Sequence, residues 1–271
     1  MNLLFAMLST ISDMRSKLFS LSHRWQFSGL LAACVLLSPP LSAQEKDPAL
    51  DLYYVANGAY NRKLYPAAIG GFEQFLQKHQ NHPKADLARR GLALSLYAQK
   101  QYDKAVPHLN ALLGKGNLPE EISRDRLSMI QGQCLLRSGK QDDAKTFFIA
   151  EAKTLKNPAF KATAHAAISD ICFSKRQWEE VCKWTAELLA GQVTPDQAAR
   201  GLYQQGFAFY QLKKHKDAIA SLEKVFPLKA DAQWKTRSSY LLGECATIEG
   251  EHQKAEEAFQ TAFAENVSKE R

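Results

Sequence analysis

The sequence predicts an all-α fold, a right-handed α-solenoid of six helix–turn–helix repeats, and two observations support this prediction. Related segments recur from residue 48 to about residue 268 at intervals of 37 residues, with one interval of 39. Within each segment, apolar residues follow the three- and four-residue spacing of an amphipathic helix. A fixed period of this length indicates units that bury their apolar faces only by stacking on one another.

The second helix of each hairpin shows the repeated pattern most clearly. In chain order its six versions are LYPAAIGGFEQFL, QYDKAVPHL, KQDDAKTFF, QWEEVCKWTAELL, HKDAIASLEKVF and HQKAEEAFQTAF. They share a small residue, which we call the alanine column: Ala68, Ala105, Ala144, Val181, Ala218 and Ala255. Four residues later lies the apolar column: Phe72, Leu109, Phe148, Thr185, Leu222 and Phe259. The fourth version is the most divergent, because Val181 and Thr185 depart from the pattern of their columns.

The first helix of each hairpin carries small residues twelve positions before the alanine column. This small column consists of Ala56, Ala93, Gly132, Ser169, Gly206 and Gly243. Glycine inside a helix costs about 1 kcal/mol relative to alanine, so glycines here need a packing reason. Helices approach to about 8–10 Å where small side chains meet, and we expect the two columns to meet inside every hairpin. The hairpins are then placed at about residues 48–80, 84–116, 121–155, 158–191, 195–228 and 231–266.

These columns resemble the tetratricopeptide repeat, a helix–turn–helix unit with a period of 34 residues or slightly more. The resemblance covers about residues 48–268 and is clearest in LLGECATIEGEHQKAEEAF, although the family's usual first-helix tryptophan is absent. It implies a stack of helical hairpins that works by binding rather than by catalysis.

Residues 1–43 differ from the repeats. Arg15, Lys17 and Arg24 precede the apolar run SGLLAACVLLSPPLSA, which ends in small residues. A positive segment, a short apolar centre and a small-residue end are typical of a secretory signal peptide. We therefore expect cleavage after Ala43 and an exported protein, either periplasmic or envelope-associated.

Alternatives stay open for this segment. Met14 would start a more ordinary signal peptide, and an uncleaved segment would act as an anchor. The sequence LAAC also resembles a bacterial lipoprotein box, which would make Cys34 a lipidation site. Residues 44–47 form a short linker to the repeats, and residues 269–271 form a tail.

Composition and motifs exclude several function classes. With 45% hydrophobic and 23% charged residues, the chain has the composition of an ordinary soluble protein. Its net charge is +7, but lysines and arginines form no long run, and export argues further against a nucleic-acid partner. We find no catalytic constellation and expect no cofactor. His79 and His82 have no third ligand nearby, so a solvated turn is favoured over a metal site.

Four cysteines remain after the predicted cleavage: Cys134, Cys172, Cys182 and Cys245. Cys172 and Cys182 fall on the facing helices of the fourth hairpin. Buried free thiols are favoured, because the spacing alone does not fix the geometry of a disulfide, and a disulfide between Cys172 and Cys182 is the alternative.

A binding groove is expected along the first helices, which line the concave face of a solenoid. Residues three before, one after and four after the small column should point into it. Tyrosines and arginines are frequent there, and both suit a recognition surface. The expected partner-binding residues are Tyr53, Asn57, Tyr60, Arg90, Tyr97, Met129, Arg137, Asp170, Phe173, Tyr203, Phe207, Tyr210 and Tyr240.

The sequence thus predicts a non-catalytic scaffold of the bacterial cell envelope that binds a peptide or a partner helix. The arginines favour a partner with acidic groups. The alternative is an accessory or regulatory subunit of an envelope assembly or polysaccharide-export machine. Because the last hairpin is followed only by ENVSKER, self-association through the C-terminal repeat is a further expectation.

Overall fold

The computed structural model describes the backbone of residues 47–269 and the side chains of residues 47–264. The predicted signal peptide, the alternative start at Met14 and the lipidation alternative at Cys34 lie outside the described residues. The described part folds as a single compact unit. None of its helices is long and apolar enough to cross a membrane.

Twelve helices form six hairpins over these residues, as the sequence predicts. The first helices of the hairpins are α1 (Pro48–Asn61), α3 (Ala85–Ala98), α5 (Arg124–Arg137), α7 (Pro158–Ser174), α9 (Pro195–Gln211) and α11 (Ala232–Ile248). The second helices are α2 (Tyr65–Lys78), α4 (Tyr102–Leu113), α6 (Gln141–Glu151), α8 (Trp178–Leu189), α10 (His215–Glu223) and α12 (His252–Lys269). Each helix packs against the next along the chain, so the hairpins stack in sequence order.

Each hairpin turn has three residues, and its middle residue is in the left-handed backbone region. These residues are Lys63, Lys100, Gly139, Arg176, Lys213 and Gly250, with φ between 56° and 77°. Glycine adopts this conformation without a steric penalty, whereas lysine and arginine pay one. The turn therefore repeats with the same period as the columns, although its sequence varies between glycine and basic residues.

Side-chain caps begin most of the first helices. Asp47, Ser123, Asn157 and Asp231 each accept a hydrogen bond from a backbone N–H of the first helical turn. Thr194 forms a capping box with Gln197 at the start of α9. The second helices of the first five hairpins lack such caps and continue directly from the three-residue turns. The long connections between hairpins therefore carry the capping residues.

The small column packs on the second helix of the hairpin, as predicted, and meets the alanine column directly in the fifth hairpin. A Cβ atom on Gly206 would lie 3.4 Å from the Ala218 carbonyl oxygen and 2.6 Å from Leu222 Cγ. Gly243 lies equally close to the ring of Phe259 in the last hairpin. The missing side chains thus leave the space that the apolar column fills.

The divergent fourth hairpin keeps the same core. Val181 and Thr185 are completely buried, although they depart from the column pattern. The Thr185 hydroxyl donates to the Val181 carbonyl oxygen at 2.7 Å, so its polar group is satisfied within α8. Burial of a threonine here therefore leaves no unpaired hydroxyl.

Candidate functional site

The first helices form one side of the stack, which we call the inner surface. Close contacts join α1 to α3, α5 to α7, α7 to α9 and α9 to α11. The helices α3 and α5 approach each other less closely, and the connection between their hairpins, residues 114–123, is ten residues long. The other connections between hairpins have five to eight residues. The inner surface is therefore more open between the second and third hairpins than elsewhere.

The N-terminal cleft lies at this opening and has a volume of about 500 Å³. Its lining includes Tyr60, Arg90, Tyr97, Glu121 and Arg126. The Arg90 guanidinium donates from Nη1 to the Glu121 carbonyl oxygen at 2.5 Å, while its Nε is buried without an acceptor. Neither Arg90 nor Arg126 has a carboxylate partner within 4.0 Å among the described residues. Within the described residues, this cleft therefore offers two guanidinium groups that form no ion pair, with Glu121 as the acidic residue of the same lining.

The middle cleft, of about 240 Å³, lies between α5, α7 and α9 and is closed by a polar network. Arg200 pairs with Asp170 at 2.6 Å. The amide of Gln204 donates to Asp170 at 2.7 Å and accepts from the buried Ser169 hydroxyl at 3.0 Å. Burial raises the pKa of the Asp170 carboxyl, against the effects of the Gln204 hydrogen bond and Arg200. The charges in this cleft are thus already paired.

The C-terminal cleft, of about 400 Å³, has three aromatic side chains in its lining. Its lining includes Tyr203, Phe207, Arg237, Tyr240 and Glu244. Burial raises the pKa of the Tyr203 hydroxyl, so this group stays protonated. The ring of Tyr203 lies 6.3 Å from that of Phe207, measured between centroids. An apolar or aromatic side chain could pack against these rings.

Aromatic contacts extend this surface beyond the C-terminal cleft. The ring of Phe173 lies 5.2 Å from Phe207, and that of Tyr210 lies 6.4 Å from it. Two tryptophans outside the predicted columns join the cluster: Trp178 lies 5.6 Å from Phe207, and Trp234 lies 6.0 Å from Tyr203. Sequence columns missed both tryptophans, because they lie near helix starts, where the repeat pattern has no fixed residue.

Eight of the thirteen predicted groove residues line the three clefts: Tyr60, Arg90, Tyr97, Met129, Asp170, Tyr203, Phe207 and Tyr240. Phe173 and Tyr210 adjoin the C-terminal cleft, as described above. Asn57 is half-buried outside these clefts. Arg137 is exposed, with its guanidinium carbon 5.9 Å from the centre of the Tyr102 ring.

Tyr53 was expected to point into the groove, but its side chain is only 7% exposed. Its ring packs 5.9 Å from Phe75 and 6.3 Å from Phe72, which places it in the core of the first hairpin. Met129 is also buried, at 6% exposure, but forms part of the wall of the middle cleft.

All four cysteines of the described residues are free thiols, so the alternative disulfide between Cys172 and Cys182 is not formed. Burial raises the pKa of Cys134 and of Cys245 to about 11. Buried thiols of this kind are chemically inert. Within the described part of the chain, no three metal-ligating side chains form a group that could hold an ion.

Comparisons with known proteins agree with this fold. Two family models, both described as tetratricopeptide repeat, match residues 56–120 and 200–227. A search of curated protein sequences found no match.

Two solved structures show the similarity in three dimensions. The C-terminal part of a TPR repeat-containing protein from Cytophaga hutchinsonii has a TM-score of 0.60 at 16% identity, covering 80% of each chain. MamA from Desulfovibrio magneticus RS-1, from residue 41 to its end, has a TM-score of 0.53 at 18% identity. That match covers 70% of this chain and 99% of MamA. At these identities the likeness concerns the fold.

Proposed function

We propose that this chain, in which residues 56–120 and 200–227 match tetratricopeptide-repeat models, is a non-catalytic scaffold that binds a peptide or partner helix along its inner surface. The observation that supports this most directly is the row of three clefts on the first helices. They hold eight residues that the repeat columns placed there independently. Concave surfaces of stacked repeats are the usual binding surfaces of solenoids.

The chemistry of the clefts defines the partner. The N-terminal cleft supplies Arg90 and Arg126, whose charges the chain leaves free, and a guanidinium binds a carboxylate through two parallel hydrogen bonds. The C-terminal cleft supplies the aromatic faces of Tyr203, Phe207 and Tyr240. The proposed ligand is therefore a protein segment that places acidic groups in the first cleft and apolar side chains in the second.

We place this scaffold in the cell envelope of a bacterium, on the strength of the sequence features of residues 1–43. The prediction of an exported protein is tested by comparing the mass of the chain from cells with that of the full sequence. The expected result is a chain in the envelope fraction whose mass shows that residues 1–43 have been removed. A full-length chain in the cytoplasm would contradict it.

Photocrosslinking tests the groove itself. A photoreactive phenylalanine analogue replaces Tyr60 or Tyr203 in the native cell, with Gln74 as control because it is exposed on the second helix α2. We expect the same partner to be crosslinked from both inner-surface positions and not from Gln74. The double change Arg90→Gln and Arg126→Gln should weaken this crosslink, since each lost charged hydrogen bond is worth roughly 1.5–3 kcal/mol.

Two results would count against the groove. Crosslinks of equal strength from Gln74 would indicate non-specific contact, and no crosslink from either tyrosine would remove the inner surface as the binding site. A partner that is still bound by the double-arginine variant would leave the scaffold in place but remove the acidic preference. Recovery of a complete multi-subunit machine would favour the accessory-subunit alternative.

A further inference from the structure

The last hairpin exposes apolar residues that every earlier hairpin covers. We call Phe259 and Phe263 the C-terminal face. Phe259 is 37% exposed, whereas the five other members of the apolar column are completely buried or nearly so. Phe263 is 71% exposed, and the residues at its position in the earlier hairpins are buried or half-buried. Those residues are Leu76, Leu113, Ala152, Leu189 and Phe226.

The first hairpin exposes the complementary positions. We call Tyr54 and Val55 of α1 the N-terminal face, and they are 58% and 71% exposed. The residues that correspond to Val55 in the later hairpins are Leu92, Gln131, Ile168, Gln205 and Leu242. Four of these five are buried, and Gln205 is half-buried. The position of Tyr54 is likewise buried or half-buried in each later hairpin.

These two sets of positions meet at the junctions inside the chain. Gly91 of α3, at the position of Tyr54, packs so closely on Phe72 of α2 that a Cβ atom would lie 2.6 Å from Phe72 Cε2. Phe72 is at the position of Phe259. Gly201 of α9, at the position of Asp51, lies close to Leu188 and Leu189, and Leu189 is at the position of Phe263. The N-terminal and C-terminal faces are thus the two halves of one kind of interface.

We propose that copies of this chain associate head to tail, with the N-terminal face of one copy on the C-terminal face of the next. The contact would continue the stack of hairpins from one molecule to another. It is heterologous, because different surfaces of the two copies meet. The repeat-to-repeat interface within the chain shows the geometry of such a contact, namely a first helix laid across a second helix.

Asp51 limits the strength of this association. The equivalent positions in the later hairpins are occupied by Ala88, Leu127, Ala164, Gly201 and Ser238. A carboxylate in the middle of an apolar contact is costly to desolvate, and Tyr54 is bulkier than the glycine of α3. Association should therefore be weak and depend on concentration, which keeps the chain from forming open filaments at low concentration.

Sedimentation velocity of the purified chain over a wide range of concentrations tests this inference. Wild type should shift from monomer to larger species as the concentration rises. Val55→Glu and Phe263→Glu should each weaken association at least about tenfold, because each buries a charge in the contact. Ile248→Glu is the matched control: Ile248 is 55% exposed, and its equivalents in the second to fifth hairpins are exposed too. Asp51→Ala should strengthen association.

A mixing experiment distinguishes head-to-tail from symmetric association. Val55→Glu keeps an intact C-terminal face, and Phe263→Glu keeps an intact N-terminal face. Their mixture should form a one-to-one complex that neither variant forms alone. All these residues are at least half exposed, so a thermal melt should show both variants folded.

Three results would overturn the proposal. The first is that wild type and Asp51→Ala both remain monomeric at every concentration. The second is that the mixture of Val55→Glu and Phe263→Glu forms no complex. The third is that association depends on Phe263 and not on Val55, which would indicate a symmetric contact between two C-terminal faces.

Discussion

At the scale of single residues, the packing opposite each small residue determines whether a larger side chain can be accommodated there. A Cβ atom on Gly132 would overlap the ring of Phe148, which is buried and cannot move away. The corresponding ring of Phe259 beside Gly243 is 37% exposed and can move toward solvent. The same substitution should therefore have different costs in two repeats that share a pattern.

We expect Gly132→Ala to lower the free energy of unfolding by about 1–3 kcal/mol through overpacking, and Gly243→Ala to lower it less. Gly58→Ala is the control, because a Cβ atom there meets nothing within 4 Å in the same kind of helix. It should raise stability by up to about 1 kcal/mol through helix propensity alone. Urea denaturation of the three variants measures these differences. Equal effects at Gly132 and Gly58 would contradict the column contact.

The sequence predicted these contacts because they depend on the absence of side chains, which a repeat pattern shows directly. It did not predict the burial of Tyr53, since its position in the repeat fixes the direction of the side chain but not what lies opposite. In the first hairpin, Phe75 and Phe72 happen to fill that space. The left-handed turn residues were missed for a related reason. Lysine or arginine occupies four of the six turns, so residue type did not reveal the conformation.

At the scale of elements, the packing of α7 on α8 encloses a titratable group. His165 of α7 is 5% exposed, and its ring centroid lies 5.6 Å from that of Trp184 on α8. Burial lowers the pKa of this imidazole below its ordinary value of 6.5, and Glu187 opposes this effect. The neutral form is therefore preferred in the folded chain.

The sign of the pH dependence follows from this shift. A lowered folded-state pKa stabilises the fold above pH 6.5, and this contribution is lost as the pH falls through the folded-state value. We expect the wild type to lose more stability than His165→Leu between pH 7 and about pH 5, by up to roughly 1 kcal/mol per pH unit. Leucine is a suited replacement because Leu202 occupies the same position in the next hairpin and is buried. Thermal melts between pH 7 and about pH 5 measure this difference. An equal loss of stability in wild type and His165→Leu would contradict the assignment to His165.

The clefts also belong to this scale, and the sequence predicted them only in part. The columns identified which faces of the first helices point inward. They could not show that α3 and α5 lie farther apart than the other neighbouring first helices, because the length of a connection does not reveal the spacing of the helices. They also could not show that Asp170 is neutralised by Arg200 while Arg90 and Arg126 are not. Pairing of charges depends on distances between neighbouring repeats.

At the scale of the whole molecule, stability should vary along the stack. A hairpin inside the stack is covered on both sides, whereas the sixth is covered on one side and exposes Phe259 and Phe263. Local opening is easiest where fewest apolar contacts are lost.

Hydrogen exchange at low protein concentration should therefore show the backbone amides of α12 exchanging faster than those of α7 and α8. The helix α10 is a useful control, because it is shorter than α12 but belongs to the fifth hairpin, which is covered on both sides. If α10 exchanges as fast as α12, helix length rather than stacking would determine protection. Uniform protection through all six hairpins would instead indicate a single cooperative unit.

The polar side-chain contacts join residues that are close in sequence, and this affects how the chain folds. No side-chain hydrogen bond or ion pair among the described residues joins positions more than 37 apart, the separation of Lys140 and Asp103. Chains with such local contacts have a low contact order and fold rapidly. Each hairpin can also settle on its predecessor without waiting for distant segments.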